Sequence, residues 1–247
     1  MSTVRIEKRS DVSHVIMDRP DRRNAFNAEL IADLHAAFLE VGDVRAVVLS
    51  GEGKSFSAGA DADWMRSSAD LDHSENCADA ERLRSMLTAL DSCPAPTIAI
   101  VQGHAMGGGA GLVACCDIAL SHSQTVYAFS ETKLGLIPSV ISPFVIERIG
   151  TAQARRYFLT GERFTADVAA AIGLVHEVSD DLGQALDHVI GEILAGGPKA
   201  VRAAKRLVRE RPAGQATAEL IASVRATTEA QEGLRAFLEK RPPSWRR

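Results

Sequence analysis

Two short stretches of small residues, SAGAD (57–61) and MGGGAG (106–111), each join an apolar run to a helical pattern. Small side chains leave the backbone open to a ligand. The first N–H groups of a helix have no intrahelical acceptor and carry the positive end of its dipole. Two such groups from separate loops can hold one developing oxyanion, where a single donor contributes ~3–4 kcal/mol. The third element is an acid, Glu131 in FSETKLGLIP, set among Phe129, Leu134, Leu136 and Ile137. A carboxyl in apolar company titrates closer to neutrality, as proton transfer requires. Taken singly, each loop also reads as a packing turn, and Glu131 also as a helix-capping or surface acid. Gly111 poses a separate question. It stands in the first turn of the helix after the glycine loop, where Gly costs roughly 1 kcal/mol relative to Ala. Either something passes close to that backbone or a side chain is missing.

The elements that position these residues follow from periodicity. TVRIEKR and VSHVIMD alternate about Ser10-Asp11 and predict a hairpin. Asn27 can cap a helix running to about Val41, with Leu30, Ile31, Leu34, Ala37 and Phe38 on one face. RAVVLSG and TIAIVQG read as buried strands, and DIALSHS and TVYAFSE as shorter ones. GKSFSAGADADWM reads as loop, strand and helix start, and residues 76–91 as a helix ended by Pro94-Ala95-Pro96. Strand, loop and helix repeat, which predicts an α/β fold. After Pro138 the spacing is helical almost throughout, with ISPFVIERIG and TAQARRYFLT as separate helices and start signals at Thr165 and Pro198. The expected division is a core over 1–195 and a helical region over 196–247.

Composition narrows the function classes. The chain has 247 residues, 46% of them hydrophobic, with a net charge of −4, which speaks against nucleic acid as a partner. Arg202, Lys205, Arg206 and Arg209 form a basic helix face, with Arg211 just beyond, but no aromatic accompanies them; a solvated face is expected. No apolar run approaches the ~20 residues of a membrane span, and MSTVRIEKRSD lacks the apolar core of a signal peptide. Cys77, Cys93, Cys115 and Cys116 show no CxxC spacing, and the last two read as buried thiols. A cytoplasmic protein is expected. No metal motif is present, and the glycine loop lacks the Lys-Ser/Thr of a phosphate loop and the acidic ribose partner of a dinucleotide site. His104 reads as a structural histidine or a substrate contact. Asp117 reads as a satisfied strand-edge carboxylate. Trp64 and Met65 read as acyl-pocket lining or core.

GKSFSAGADADWM, PTIAIVQGHAMGGGAGLVACCDIAL, FSETKLGLIP and RRYFLTGERFTADVAAAIGLVHEV, in that order, resemble the crotonase, or enoyl-CoA hydratase/isomerase, superfamily. The resemblance runs from RPDRRNAFN to EGLRAFLEKR. It implies a spiral of ββα units, a C-terminal helical trimerisation region, and a homotrimer or dimer of trimers. It implies an acyl-CoA thioester substrate, with coenzyme A arriving on the substrate and no permanently bound cofactor. The oxyanion donors map to the N–H groups of Ala60 and Gly108. Arg23, Asn24, Ala25 and Phe26 map to a segment lining CoA, Ala58 to the neighbourhood of the adenine, and Asp61 to the flank of the oxyanion donor. Lys240 maps to a lysine reaching CoA phosphates, at times those of a neighbouring subunit. The basic face with Arg202 then also reads as the rim of a CoA phosphate site. Trp64, Met65 and Leu136 map to the substrate pocket.

Hydratases of this superfamily usually carry two glutamates. Glu131 stands at one position; at the other stands Gly111. The wording resembles most closely that of bacterial methylglutaconyl-CoA and carboxygeranoyl-CoA hydratases. It implies hydration of a 2-enoyl-CoA by Glu131, with a branched or carboxylated acyl group. A substrate carboxylate suits a site with one protein carboxylate fewer, on grounds of like-charge repulsion. The alternatives are a Δ3,Δ2-enoyl-CoA isomerase using Glu131 alone and a non-catalytic acyl-CoA binder.

Overall fold

A hairpin opens the chain: β1 (Val4–Arg9) and β2 (Val12–Met17) pair antiparallel about a turn in which Ser10 takes φ 53°. The computed structural model describes residues 2–68 and 70–246. β3 (Ala46–Gly51), β4 (Thr97–Val101), β6 (Ile118–His122) and β9 (Glu177–Ser179) continue from β2 in parallel, giving a six-stranded sheet in the order β1-β2-β3-β4-β6-β9. A second sheet is built from β5 (His104–Met106), β7 (Val126–Ala128) and β8 (Phe164–Thr165) in the order β5-β7-β8.

The two layers arise from one repeated turn. A strand of the large sheet ends at a corner, a short extended segment enters the inner layer, and a helix returns. Gly103 makes the corner between β4 and β5 at φ 65°, where a β-carbon would fall on the Lys54 carbonyl oxygen. Phe26 and Ala60 bridge in the inner layer, as do Ser57 and Ala105, all in parallel. Segment 57–61 therefore makes isolated bridges and not the strand that its sequence predicts. Its hydrogen bonds are divided between two neighbours: Ser57 N–H donates to the His104 carbonyl (2.9 Å) and Asp61 N–H to the Phe26 carbonyl (2.8 Å).

The helices form where the local chemistry calls for them. The Asn27 side chain accepts from Leu30 N–H (2.9 Å) to start α1 (Ala28–Leu39). Its expected face is buried, with Leu30, Leu34 and Phe38 in the same core as Met86, Leu87 and Leu90 of α3 (His73–Asp91). Each such side chain contributes about 1.5–3 kcal/mol when fully buried. α3 begins three residues before the expected start, at a capping box between Asp72 and Glu75. α2 (Ala62–Ser68) and α4 (Gly108–Cys115) follow the two small-residue loops. α5 (Ser142–Thr160) joins the two helices expected after Pro138 and kinks at Gly150 (φ 73°, ψ 159°). α6 (Ala166–Ala171) starts at the Thr165 cap, and α7 (Leu182–Ala195) covers the far face of the large sheet.

α8 (Pro198–Glu210), α9 (Gln215–Arg225) and α10 (Thr228–Leu238) complete the chain. The basic face of α8 corrects the expectation of a solvated face or a phosphate rim. Lys205 reaches Asp117 (2.7 Å) and the Ala95 carbonyl, Arg202 reaches Asp43, and Arg209 reaches Asp91, so these cations pin α8 to the α/β core. Arg206 stays exposed. Cys115 and Cys116 are buried as expected, Cys93 is buried too, and Cys77 is exposed. Among the described residues no helix is long and apolar enough to cross a membrane.

Candidate active site

The small-residue loops meet because their backbones lie almost in contact. Met106 N–H donates to the Ser57 carbonyl (3.0 Å), and a β-carbon on Gly109 would stand 2.7 Å from Ser57 Cβ. At Gly59 (φ 89°) a β-carbon would stand 3.1 Å from the Met106 carbonyl oxygen. Buried Ser57 donates its Oγ–H to the Asn24 carbonyl (2.8 Å), and the buried Asn24 amide donates to the Glu52 and Ser55 carbonyls. A polar lattice with its partners in place holds the two loops at fixed separation.

Within that lattice the hydrogen bonds skip the amides of Ala60, Gly108, Gly109 and Ala110, and of these only Ala60 and Gly108 line the cleft that holds Glu131. Ala58 N–H donates to the Arg23 carbonyl, Gly59 N–H to Ser57 Oγ, and Asp61 N–H to the Phe26 carbonyl; Gly107 N–H donates to the Ala128 carbonyl and Gly111 N–H to that of Gly107. Among the described residues the N–H groups of Ala60 and Gly108 have no acceptor. Gly108 begins α4, so its donor carries the helix's positive end. A β-carbon on Gly108 would overlap the edge of the Phe26 ring, so the helix start packs directly against that ring.

Glu131 opens a 3-10 helix (Glu131–Leu134) directly after β7. An aromatic cluster backs it: Phe129 packs edge-on to Phe158 at 5.3 Å and against Phe164 at 5.9 Å. The position where a β-carbon of Gly107 would stand is 2.9 Å from Glu131 Oε1. Glu131 Oε2 is buried without a hydrogen-bond partner, and burial pushes the carboxyl above its ordinary range.

A cleft of about 480 Å³ gathers Phe26, Ala58, Ala60, Trp64, Met65, Gly108, Glu131 and Leu136. Leu83, Val140 and Ile141 extend its apolar wall, and Asp79 is the other acid among its lining residues. No Lys, Arg or His among the described residues lines it. Five expected residues are placed elsewhere, with Asn24 held in the loop lattice. The Arg23 carbonyl anchors Ala58 while its side chain is exposed, and Ala25 is buried outside the cleft. Asp61 turns away: its carboxylate accepts from Asp63 N–H (2.9 Å) and pairs with Arg19 (3.1 Å), so it supports α2 and does not face a ligand. Lys240 lies exposed after α10 and does not line the cleft. Gly111 is buried behind the cleft, where its missing side chain would meet Ile141, a residue that sequence reading passed over. His104 bonds Ser55 Oγ, and Asp117 accepts from Thr97 N–H and Oγ1–H, as structural residues do. Among the described residues no cluster of His, Cys, Asp or Glu is placed to hold a metal.

Two free amides, a buried acid and an apolar cleft can stabilise an oxyanion and move a proton beside it. Comparison with known proteins gives the family. The model of the Enoyl-CoA hydratase/isomerase family matches residues 7–247. A putative enoyl-CoA hydratase of Thermus thermophilus is 35% identical, covering 97% of this chain and 99% of its own. Crotonyl-CoA hydratase of Syntrophomonas wolfei is 31% identical, over 96% and 95%. The crystal structure of an enoyl-CoA hydratase from Shewanella pealeana superposes with a TM-score of 0.93 at 39% identity, over 98% and 96% of the two chains. The chain belongs to the enoyl-CoA hydratase/isomerase family of the crotonase superfamily, and its fold is that of the crotonases.

Proposed function

We propose that the protein adds water across the 2,3 double bond of an enoyl-CoA thioester, with Glu131 as its general acid and base. The observation that carries this reading is the partnerless, buried Oε2 of Glu131, in a cleft that the free amides of Ala60 and Gly108 also line. The thioester oxygen accepts from both amides, which stabilise the enolate more than the ground-state carbonyl. Ionised Glu131 takes a proton from water as its oxygen bonds to C3, and the C2–C3 π electrons move toward the thioester oxygen. The proton then passes from Glu131 to C2 as the enolate collapses, restoring the carboxylate. Coenzyme A enters on the substrate, passing Ala58 and Phe26, and the chemistry asks for no resident cofactor.

The acyl group we infer is branched and uncharged. A distal carboxylate would enter beside Glu131 with no cation among the described lining residues, and two like charges at close range oppose binding; Asp79, the other lining acid, is already paired with Arg82 (2.7 Å). Of the branched and carboxylated acyl groups that the sequence leaves open, this favours the branched one. A trimer is our inference for the assembly: Val208, Ile221, Phe237 and Leu238 are exposed on α8–α10, with Phe237 at 80%. Lys240 beside them would meet CoA only across such an interface.

Double-bond migration is the second reading. It is favoured by the one observation that position 111 offers no second carboxylate. The two separate in water labelled with oxygen-18: hydration places the label on C3 of the product, whereas migration incorporates none.

A further inference from the structure

Position 111 has no side chain, and the space for one is occupied. A β-carbon on Gly111 would lie 3.0 Å from Ile141 Cβ and closer still to Ile141 Cγ2. Ile141 cannot swing clear. It is 3% exposed, and its carbonyl accepts from Val145 N–H (3.1 Å) at the start of α5. A branched β-carbon also restricts its χ1 rotamers. Its side chain packs in the main core cluster and at the same time lines the cleft that holds Glu131. The glycine and the isoleucine are thus complementary shapes, thirty residues apart in sequence, at the wall of the site.

We propose that Ile141 is a specificity-determining residue that keeps the position of a second acid closed, leaving Glu131 to act alone. The inference rests on the reading of Glu131 given above. An aliphatic wall stands where a second carboxylate would hold water, so water is oriented from one side only. The pair at 111 and 141 then sets the balance between hydration, which passes through a 3-hydroxy enolate, and double-bond migration, which passes through a dienolate reprotonated at C2 or C4. Opening the wall and installing an acid moves that balance toward hydration.

The test compares the wild type, Ile141→Ala, Gly111→Glu and the double variant. Melting temperature is measured for each, with rates on 2-enoyl-CoA and 3-enoyl-CoA across pH. Gly111→Glu alone is expected to melt lower and to lose turnover, because its side chain meets Ile141. Adding Ile141→Ala is expected to recover the melting temperature. The double variant is expected to hydrate at least about 100-fold faster than Ile141→Ala, the low end of what a positioned acid–base group contributes. Its pH–rate profile is expected to show an ionisation that the wild type lacks, which a purely structural repair would not produce. If Gly111→Glu does not fold, Gly111→Ala with and without Ile141→Ala measures the same steric coupling. Independent effects of the 111 and 141 substitutions on melting overturn the inference, as does a double variant with the rate and pH profile of Ile141→Ala. A wild-type rate that survives Glu131→Gln overturns instead the reading of Glu131 on which it rests.

Discussion

Glu131 Oε1 lies 2.9 Å from where a β-carbon of Gly107 would stand, and Gly107 is held at φ 50°, ψ −117°. The acid and the glycine turn fit each other, so the turn has no room for even a methyl group. Gly107→Ala is expected to push the carboxylate away and to strain a backbone that L-residues rarely adopt. A 1 Å misplacement costs on the order of 100-fold in rate. Steady-state kinetics should show that fall in kcat with the KM for the acyl-CoA changed far less.

Burial of the Glu131 carboxyl predicts a pH signature in stability. Its folded pKa is raised above the unfolded value, so between the two the folded state binds more protons. Stability is therefore fullest below the ordinary carboxylate range and is lost as pH rises through the raised value. Glu131→Gln removes that loss. The variant should match wild type near pH 4 and melt higher at pH 8, where each kcal/mol relieved is worth roughly 2–4 °C in a chain of this size. Equal melting curves at both pH values would contradict the buried, partnerless carboxyl.

Asp61 supports the site from outside it. Burial alone would push its carboxyl up; the Asp63 N–H and the Arg19 guanidinium outweigh this and hold it below the ordinary range. Asp61→Ala leaves Arg19, itself only 16% exposed in its side chain, without a counter-charge. The expected loss is roughly 3 kcal/mol, the low end for a broken buried pair because Arg19 keeps some water. A urea titration measures it. Because α2 carries Trp64 and Met65 into the cleft, KM should rise as well.

Selectivity among acyl groups follows from the lining. With Glu131 in the lining, no cation among the described lining residues and Asp79 already paired with Arg82, a branched enoyl-CoA should give a kcat/KM at least about tenfold above that of its carboxylated counterpart of equal length, about 1.4 kcal/mol of discrimination. Asp79→Asn should narrow the gap.

Much of this architecture is legible in the sequence because it is decided locally. The Asn27 cap, the Thr165 cap and Pro198 at the first turn of α8 act within four residues, and each marks a helix start in the structure. The glycine loops are legible for the same reason: few other residues let two backbones approach so closely. The features that escape are contacts made across long spans. β5 and β9 have three residues each and exist only through their neighbours. The Arg19–Asp61 pair crosses 42 residues and turns an expected ligand contact into a support. Arg202, Lys205 and Arg209 look like a free basic face until Asp43, Asp117 and Asp91 are seen beneath them. Ile141 carries no local signal at all. Only the place of Gly111 in the fold gives it meaning.

The most direct test of the account is the absorbance of the conjugated enoyl-thioester band of a 2-enoyl-CoA at neutral pH, followed with wild type and with Glu131→Gln. The band is expected to decay with wild type and to decay at least about 100-fold more slowly with the variant, the lower range for loss of a general acid–base group. Equal decay with both proteins would contradict the role of Glu131. A band that wild type leaves intact, yet generates from a 3-enoyl-CoA, would contradict hydration itself.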